Sequence, residues 1–292
     1  MSEQNHSPVV INKILVPTDF SAISLLALEY AGLIASKTNA TIILLHVFES
    51  YMQNTMLHAT VDFNNIMEKG IEEKMHEIVG MDQQLNGVRV ETRVAHGKIH
   101  VEIEQIVKQD GISLIVMGTH GVSGVTNIGK FMVGSNAYRT MQNATCPIIT
   151  LRNEPSKKSF KNIVLPIDSS AKSTMKLDIA IAWAKLFGST IHLLAVTAFF
   201  EEFVVDAKAV DRKVHQVEEL LVKEGIPYTA HIIRNQSPSL SVLHHAEKMN
   251  ADLIMIVSGQ ESQLGEMLFG SISRAVVSDS PIPVLSIHIN KN

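Results

Sequence analysis

Two glycine-bearing stretches of this sequence carry residue types that suit the binding of a phosphate group. Residues 117–124 contain three glycines, and Gly134 stands directly before Ser135 in a second stretch. Glycine lets backbone N–H groups approach an anion closely, and a helix that opens at Ser135 adds unpaired N–H groups and the positive end of its dipole. The pattern is typical of a phosphate cradle, although glycines that only turn the chain between a strand and a helix look the same.

An acidic residue and two strand ends are expected beside these glycines. Asp19 follows one apolar run, and Val47 ends another. The Asp19 carboxylate is suited to accept hydrogen bonds from a ribose or to hold a cation, and equally to cap a helix that starts near Ser21. His46 is expected to wall the pocket rather than to titrate in catalysis. The predicted set contains no catalytic residue and no metal ligand, and its binding residues are Pro17, Thr18, Asp19, Val47, Met117, Gly118, Gly121, Gly124, Gly134, Ser135 and Asn136.

The elements that position these residues follow from the hydrophobic pattern. Short continuous apolar runs alternate with amphipathic stretches, which predicts a parallel sheet covered on both faces by helices. Right-handed crossovers then make a doubly wound, five-stranded α/β layer, in which ligands bind outside the carboxyl ends of the strands. The predicted strands are 13–16, 41–47, 88–95, 114–117 and 147–151, and the predicted helices are 21–37, about 65–85, about 99–109 and about 135–143.

The chain repeats itself. Residues 12–47 align without a gap on residues 161–196, and 14 of these 36 pairs are identical. The correspondence resumes at shorter offsets, with Leu114 on Leu253 and Gly134 on Gly270, so the second copy is shorter in its middle. The sequence therefore predicts two tandem Rossmann-like domains, residues 9–152 and 160–290, joined by a short polar linker.

The second copy lacks two of the glycines. Val257 and Gln260 stand where the first copy has Gly118 and Gly121, although Asp168 and the Gly270-Ser271 pair remain. Both replacements add a Cβ where the backbone has to approach a phosphate closely. We therefore expect nucleotide binding in the first domain and a weak or empty site in the second.

Composition excludes several classes of protein. The 292 residues are 46% hydrophobic, with a mean hydropathy of +0.15, a net charge of -4 and a single cysteine, Cys146. These values argue against disorder, a basic nucleic-acid surface and a disulfide framework. No apolar run reaches the ~18 residues of a membrane span, and the amino terminus does not resemble a secretory signal. The expectation is a soluble, cytoplasmic protein that binds neither nucleic acid nor membrane.

Patterns for catalysis are weak. Residues 124–131 fall one residue short of a P-loop because Phe131 supplies no hydroxyl for Mg²⁺. His244 and His245 are expected to point to different faces of a helix, so a zinc site there is not expected. Phosphoryl transfer needs a placed metal, a water-orienting base and cationic charge, and the sequence offers little beyond Asp19 and Lys130. Binding is better supported than turnover.

These motifs together resemble the universal stress protein family. The resemblance rests on Pro-x-Asp after the first strand, Leu-Leu-His-Val, Met-Gly-Thr-His-Gly and the distal Gly-Ser-Asn, and it covers nearly the whole chain twice. It implies a five-stranded parallel α/β fold, domain pairing through the last strand, and a division into ATP-binding and non-binding members. The binders' motif, Gly-x2-Gly-x9-Gly-(Ser/Thr), is matched literally from Gly121. We favour the register that starts at Gly118, which leaves a three-residue insertion before Gly134.

The resemblance implies a stress-response module that binds ATP, ADP or AMP, with or without Mg²⁺, in the first domain. It places adenine near Val47, ribose near Asp19 and Gly118, and phosphates over Gly121 and residues 134–136. Two other functions stay open: a nucleotide-free scaffold that acts through dimer surfaces, and a slow ATPase. The two domains are expected to form an intrachain pseudo-dimer, with a homodimer as a further possibility. Residues 51–64 are read as a lid, a dimer contact or a surface excursion.

Overall fold

The computed structural model describes residues 10–48, 60–120, 133–153, 157–168, 176–197, 207–234, 236–258, 260–261, 267–268 and 271–288. The chain divides into two compact units, with residues 11–151 in the first and residues 152–292 in the second. No helix among these residues is long and apolar enough to cross a membrane.

The first domain alternates strands with helices, as the hydrophobic pattern predicts. Ser21 caps the first helix by accepting from the Ser24 N–H, and Asn39 ends that helix in a left-handed conformation, with φ of 57°. The second helix begins at Thr60, five residues earlier than the pattern predicts, and a 3₁₀ turn, Gln83–Leu85, follows it. The strands and helices are β1 Lys13–Pro17, α1 Ala22–Thr38, β2 Thr41–Phe48, α2 Thr60–Met81, β3 Val90–His96, α3 Ile99–Asp110, β4 Leu114–Gly118, α4 Ser135–Asn143 and β5 Ile148–Leu151.

The five strands of the first domain are parallel and run in the order β3-β2-β1-β4-β5. The chain starts in the middle of the sheet, moves to one edge through β2 and β3, and then crosses to β4 and β5 on the other side. The strand order therefore reverses between β1 and β4, and a crevice opens at their carboxyl ends. The predicted doubly wound fold is confirmed.

The second domain has the same plan, with strands in the order β12-β9-β6-β7-β8, all parallel. A two-stranded antiparallel pair, β10 with β11, stands outside this sheet. The elements are β6 Asn162–Ile167, α5 Leu177–Phe187, β7 Thr190–Thr197, α6 Ala207–Lys223, β8 Tyr228–Arg234, α7 Pro238–Lys248, β9 Leu253–Ser258, β10 Gln260–Glu261, β11 Met267–Leu268, α8 Ser271–Asp279 and β12 Val284–His288.

Each domain has its own core of aliphatic strand residues and the inner faces of its helices. Burial of this apolar surface is the main force that holds helices to sheet. In the second domain an aromatic group joins the core: Trp183, 2% exposed, lies 4.9 Å from the ring of Phe160 and 5.2 Å from that of Phe187. Trp183 is the only tryptophan in the chain, so its fluorescence reports on the second domain alone.

Candidate functional site

A cavity of about 470 Å³ opens at the carboxyl ends of β1, β2 and β4 in the first domain. Its size falls in the range of about 300–1,000 Å³ typical of ligand pockets. Nine of the eleven predicted binding residues line it; the other two, Gly121 and Gly124, lie outside the described residues. The nine are Pro17, Thr18, Asp19, Val47, Met117, Gly118, Gly134, Ser135 and Asn136.

Asp19 does not cap α1 directly. Its Oδ1 accepts hydrogen bonds from the Ser21 N–H at 3.1 Å and the Ser21 hydroxyl at 2.5 Å, while Ser21 is the N-cap residue. The carboxylate therefore holds the cap in place and lines the pocket at the same time. The sequence left helix capping and pocket lining open for Asp19; the N-cap residue is Ser21 and not Asp19, and Asp19 lines the pocket.

The hydroxyl groups of Thr18 and Ser24 form a directed chain beneath the pocket. The Ser24 hydroxyl donates to the Ser21 carbonyl oxygen at 2.9 Å, and the Thr18 oxygen accepts the Phe20 N–H at 3.0 Å. The two hydroxyls are 3.0 Å apart, so Thr18 is the donor in that bond because Ser24 has used its only proton. This chain ties the end of β1 to the first turn of α1 and positions the backbone around Asp19.

His46 is an aromatic wall of the pocket with a defined tautomer. Its Nδ1 lies 2.8 Å from the Thr18 carbonyl oxygen, which can only accept, so Nδ1 carries a proton. The ring of Phe20 stacks on His46 with centroids 4.9 Å apart and planes 19° from parallel. Phe20 has a φ of 65°, an unfavourable region for a bulky residue, and the stack holds it there.

The Phe20–His46 stack continues across the strand ends as a row of rings. Phe48 lies 6.0 Å from His46, and His96 lies 5.9 Å from Phe48. Helix α2 contacts both ends of this row. The Lys74 ammonium lies 4.4 Å from the Phe20 ring centroid, and Glu68 is 3.4 Å from His96 Nε2. The row thus links the pocket wall to α2.

Gly118 and Gly134 are required by close packing and not by unusual dihedral angles. A Cβ on Gly118 would lie 2.8 Å from Ile23 Cγ2 and 3.3 Å from the His120 carbonyl oxygen. A Cβ on Gly134 would lie 3.0 Å from the Thr119 carbonyl oxygen, which accepts the Gly134 N–H at 2.8 Å. A Cβ at either position would force its neighbours to shift, and both glycines bring backbone to the edge of the cavity.

The amino terminus of α4 faces the same cavity. Gly134 is its N-cap residue, and no side-chain hydrogen bond caps this terminus. The cavity lining holds Ser135, Asn136 and Ala137 from the first turn. The described lining contains no lysine or arginine, so an anion here would bind to backbone N–H groups and the helix dipole.

Seven lining residues are not in the predicted binding set: Ser24, Leu45, His46, Ile99, Thr119, His120 and Ala137. Ile99 opens α3 immediately after β3, so the rule that ligands bind at carboxyl ends of strands was a usable signal for it. Thr119 is 1% exposed, and its Oγ1 lies 2.9 Å from Nδ1 of His120. His120, two residues beyond the end of β4, lines the cavity as well.

The matching positions of the second domain carry different side chains. Ala195 replaces His46, and Val257 replaces Gly118 at the end of β9. Lys176 replaces Ala27; it is 5% exposed, and its ammonium donates to the Pro166 carbonyl oxygen. Burial lowers the pKa of Lys176 to about 8 despite the opposing charge of Asp168.

Other groups that the sequence singled out do not form sites among the described residues. No cluster of His, Cys, Asp or Glu there is arranged to hold a metal ion. Cys146 is buried, and burial raises the pKa of its thiol to about 12, which makes it inert at neutral pH. His245 is 4% exposed whereas His244 is exposed, as the helical spacing predicts.

A larger groove of about 1310 Å³ lies in the second domain at the amino ends of its strands. There Asp252 binds the chain that enters β6: its Oδ2 accepts from the Lys161 N–H at 2.7 Å and the Asn162 N–H at 2.9 Å. This carboxylate therefore has a structural role, and the edge is opposite to the one where α/β sheets bind ligands.

Comparison with known proteins gives consistent matches. The model of the Universal stress protein family matches residues 11–152 and again residues 159–288. Universal stress protein YxiE of Bacillus subtilis is 31% identical over 49% of this chain and 100% of its own length. Universal stress protein MJ0577 of Methanocaldococcus jannaschii is 26% identical over 51% of this chain and 99% of its own length.

Solved structures also match both domains at once. A universal stress protein from Archaeoglobus fulgidus superimposes with a TM-score of 0.75 over 96% of this chain and 97% of its own, at 24% identity. At that identity the likeness shows a shared fold. Two matches to one family model, each about the length of a single-domain relative, agree with a tandem arrangement.

Proposed function

Because the chain belongs to the universal stress protein family, we propose that it is a stress-response protein whose first domain binds one adenine nucleotide as a regulatory ligand. The observation that carries this proposal is the cavity of the first domain, which joins the strand ends of β1, β2 and β4 to the uncapped terminus of α4. ATP, ADP and AMP share the adenosine and phosphate groups that such a crevice suits.

Each part of the nucleotide has a matching part of the cavity. The side chains of Val47, Met117 and His46 supply apolar and aromatic surface for a base. The Asp19 carboxylate suits a ribose hydroxyl, because a carboxylate only accepts hydrogen bonds. The first turn of α4 and the backbone at Gly134 suit the phosphates. Mg²⁺, where present, would be held by the nucleotide phosphates and not by a cluster of protein carboxylates.

Regulated binding fits the site better than rapid turnover. Phosphoryl transfer needs a positioned base and cationic groups on the transferred phosphoryl. The only ionisable side chains in the described lining are Asp19, His46 and His120, and all three already have hydrogen-bond partners within the protein. We therefore propose that occupancy of the cavity changes the surface that the domain presents, while hydrolysis stays at or near background.

The first experiment is to denature protein purified without added nucleotide and to identify what it releases by chromatography, relative to protein concentration. One adenine nucleotide per chain supports the proposal. Two per chain would show that the second domain also binds. No released nucleotide, together with no thermal shift in millimolar ATP, would refute the proposal in favour of the scaffold.

A matched pair of glycine variants tests the site itself. Gly134→Ala should weaken ATP binding at least about tenfold, or ~1.4 kcal/mol, because the new methyl group meets the Thr119 carbonyl oxygen. Gly80→Ala is the control, since nothing lies within 4 Å of a Cβ at that position in α2. Isothermal titration of both variants measures the difference; equal affinities would contradict the assignment of Gly134 to the site.

A further inference from the structure

A cluster of three histidines lies in the second domain, away from the strand ends discussed above. His192 is on β7, His231 is on β8, and His245 is on α7. The register pairs His192 with Thr229 and Leu194 with His231, so His192 and His231 are two pair positions apart on one face of the sheet. The ring centroids of His231 and His245 are 4.8 Å apart, which places α7 against that face.

The cluster is built around a buried ring that lacks a full set of partners. His245 is 4% exposed, and its Nε2 is buried without a hydrogen-bond partner among the described residues. His192, 7% exposed, is better satisfied: Nδ1 lies 2.9 Å from Thr229 Oγ1, and Nε2 lies 3.3 Å from Asn162 Oδ1. His231 is exposed and covers the buried ring, so solvent reaches the edge of the cluster.

The charges that act on His245 all have the same sign. They come from His231 on β8, His192 on β7, and Lys248 and His244 on α7. No acidic group acts on it from the described elements that pack around it. Burial first, and these cations second, lower the pKa of His245 to about 4. Burial and the neighbouring His231 lower the pKa of His192 as well.

The first domain has no such cluster at the matching positions. Ile43 stands at the position of His192, and Ile106 at that of His245. Arg93 stands at the position of His231 and makes an ion pair with Asp110 at 2.5 Å. In the first domain this face of the sheet therefore has aliphatic residues and an arginine that is paired with an aspartate. In the second domain the same face has three histidines, and the charges acting on His245 are all positive.

We propose that this histidine cluster makes the second domain a proton sensor. At acid pH, proton uptake by the cluster loosens the packing of α7 against β7 and β8, while the packing of the first domain does not change. A cationic His245 has no anion to pair with and no partner for its buried N–H, so the charged ring favours opening. The inference is independent of nucleotide binding in the first domain.

The direction of the effect follows from proton linkage. The unfolded chain binds a proton at His245 near the ordinary pKa of 6.5, whereas the folded chain binds it only near 4. Between these values the unfolded state holds more protons, so stability falls as pH falls from about 6.5 to 4. For His245 alone, the ratio of folded to unfolded second domain should fall about 30-fold between neutral pH and pH 5.

The test is urea unfolding of the full chain, followed by the fluorescence of Trp183, at pH 7.5 and pH 5.0. Between these two pH values, the folded-to-unfolded ratio of wild type should fall about 30-fold more than that of His245→Ile, which installs the residue found in the first domain. His244→Ile is the matched control on the same helix and should keep the loss. His288, whose pKa burial also lowers to about 4, contributes equally to all three proteins and cancels in the comparison.

A second measurement does not depend on a variant folding. Ring resonances of isotope-labelled histidine in the wild-type chain should show His245 neutral down to about pH 5. Titration of His245 near pH 6.5, or an acid loss of the same size in wild type and His245→Ile, would overturn the proposal.

Discussion

The two domains share one fold but differ at the two places where chemistry is concentrated. At the strand ends the first domain has glycine and aromatic residues, Gly118 and His46, where the second has Val257 and Ala195. Where α7 packs on the sheet, the second domain has His192 and His245. The first domain has Ile43 and Ile106 at the matching positions of β2 and α3. The strand order is the same in both domains, whereas the side chains at the crevice and on the helix face differ.

The comparison shows that the strands of a doubly wound sheet tolerate many substitutions, whereas the residues of a binding site tolerate few. Strands of both domains are buried runs of aliphatic residues, which interchange at small cost when volume is conserved. A site residue acts through one atom at one place, so Gly118 and Val257 are not interchangeable although both follow equivalent strands. Three positions at which the domains differ, 118, 176 and 46, are the ones to change by mutation.

The largest effect is expected when Gly118 acquires a side chain. Gly118→Ala should weaken ATP binding at the proposed site by about 100-fold, or ~2.7 kcal/mol, because its Cβ would meet Ile23 Cγ2 at 2.8 Å and shift the wall of the cavity. Titration calorimetry measures the loss.

A double variant separates packing from ligand exclusion. Ile23→Ala removes the atom that the new methyl group meets, so Ile23→Ala/Gly118→Ala should regain thermal stability. Binding should stay weak in the double variant. Recovery of both together would mean that Gly118 serves only the packing of α1.

The next effect concerns the buried lysine that replaces Ala27. Lys176 releases its proton near pH 8 in the folded chain, whereas the unfolded chain holds it to about 10.5. Between these values the unfolded state binds more protons, so stability of the second domain should rise with pH, by about 2 kcal/mol from pH 7.5 to 9.5. Urea unfolding followed by Trp183 fluorescence measures the rise.

Lys176→Met is the variant that checks the origin of this pH dependence. It removes the buried charge at similar volume, so it should stabilise the second domain by about 1–3 kcal/mol at pH 7.5 and flatten the rise. A variant that keeps the wild-type slope would assign the pH dependence to another group.

The smallest effect is expected from His46→Ala, which installs the residue of the second domain. The variant loses part of the pocket wall, the hydrogen bond to the Thr18 carbonyl oxygen and the stack on Phe20. ATP binding should therefore weaken about three- to tenfold, or ~1 kcal/mol. His96→Ala, at the far end of the ring row and outside the cavity lining, is the control and should leave affinity within twofold of wild type, a difference of ~0.4 kcal/mol. Equal losses in both variants would instead mean that the whole ring row supports the site.

Much of this protein is determined by the sequence itself. Period and length of the apolar runs predict the strands, and the helix Ser135–Asn143 begins and ends where predicted. The repeat predicts two copies of one fold, which is confirmed. These features are local, because a buried strand and an amphipathic helix are visible in consecutive residues. Because ligands bind at the carboxyl ends of parallel strands, the sequence alone also predicts that residues 17–19, 117–118 and 134–136 lie close together.

Other features were decided only by tertiary structure, because they depend on contacts between residues far apart in the chain. The need for glycine at position 118 comes from Ile23, nearly a hundred residues earlier. The tautomer of His46 comes from the Thr18 carbonyl oxygen, and the row of rings crosses three strand ends. Of the histidines on β7, β8 and α7, only His245 stands out in the sequence, as half of a His-His pair. The three become a cluster only when the strand register and the packing of α7 bring them together.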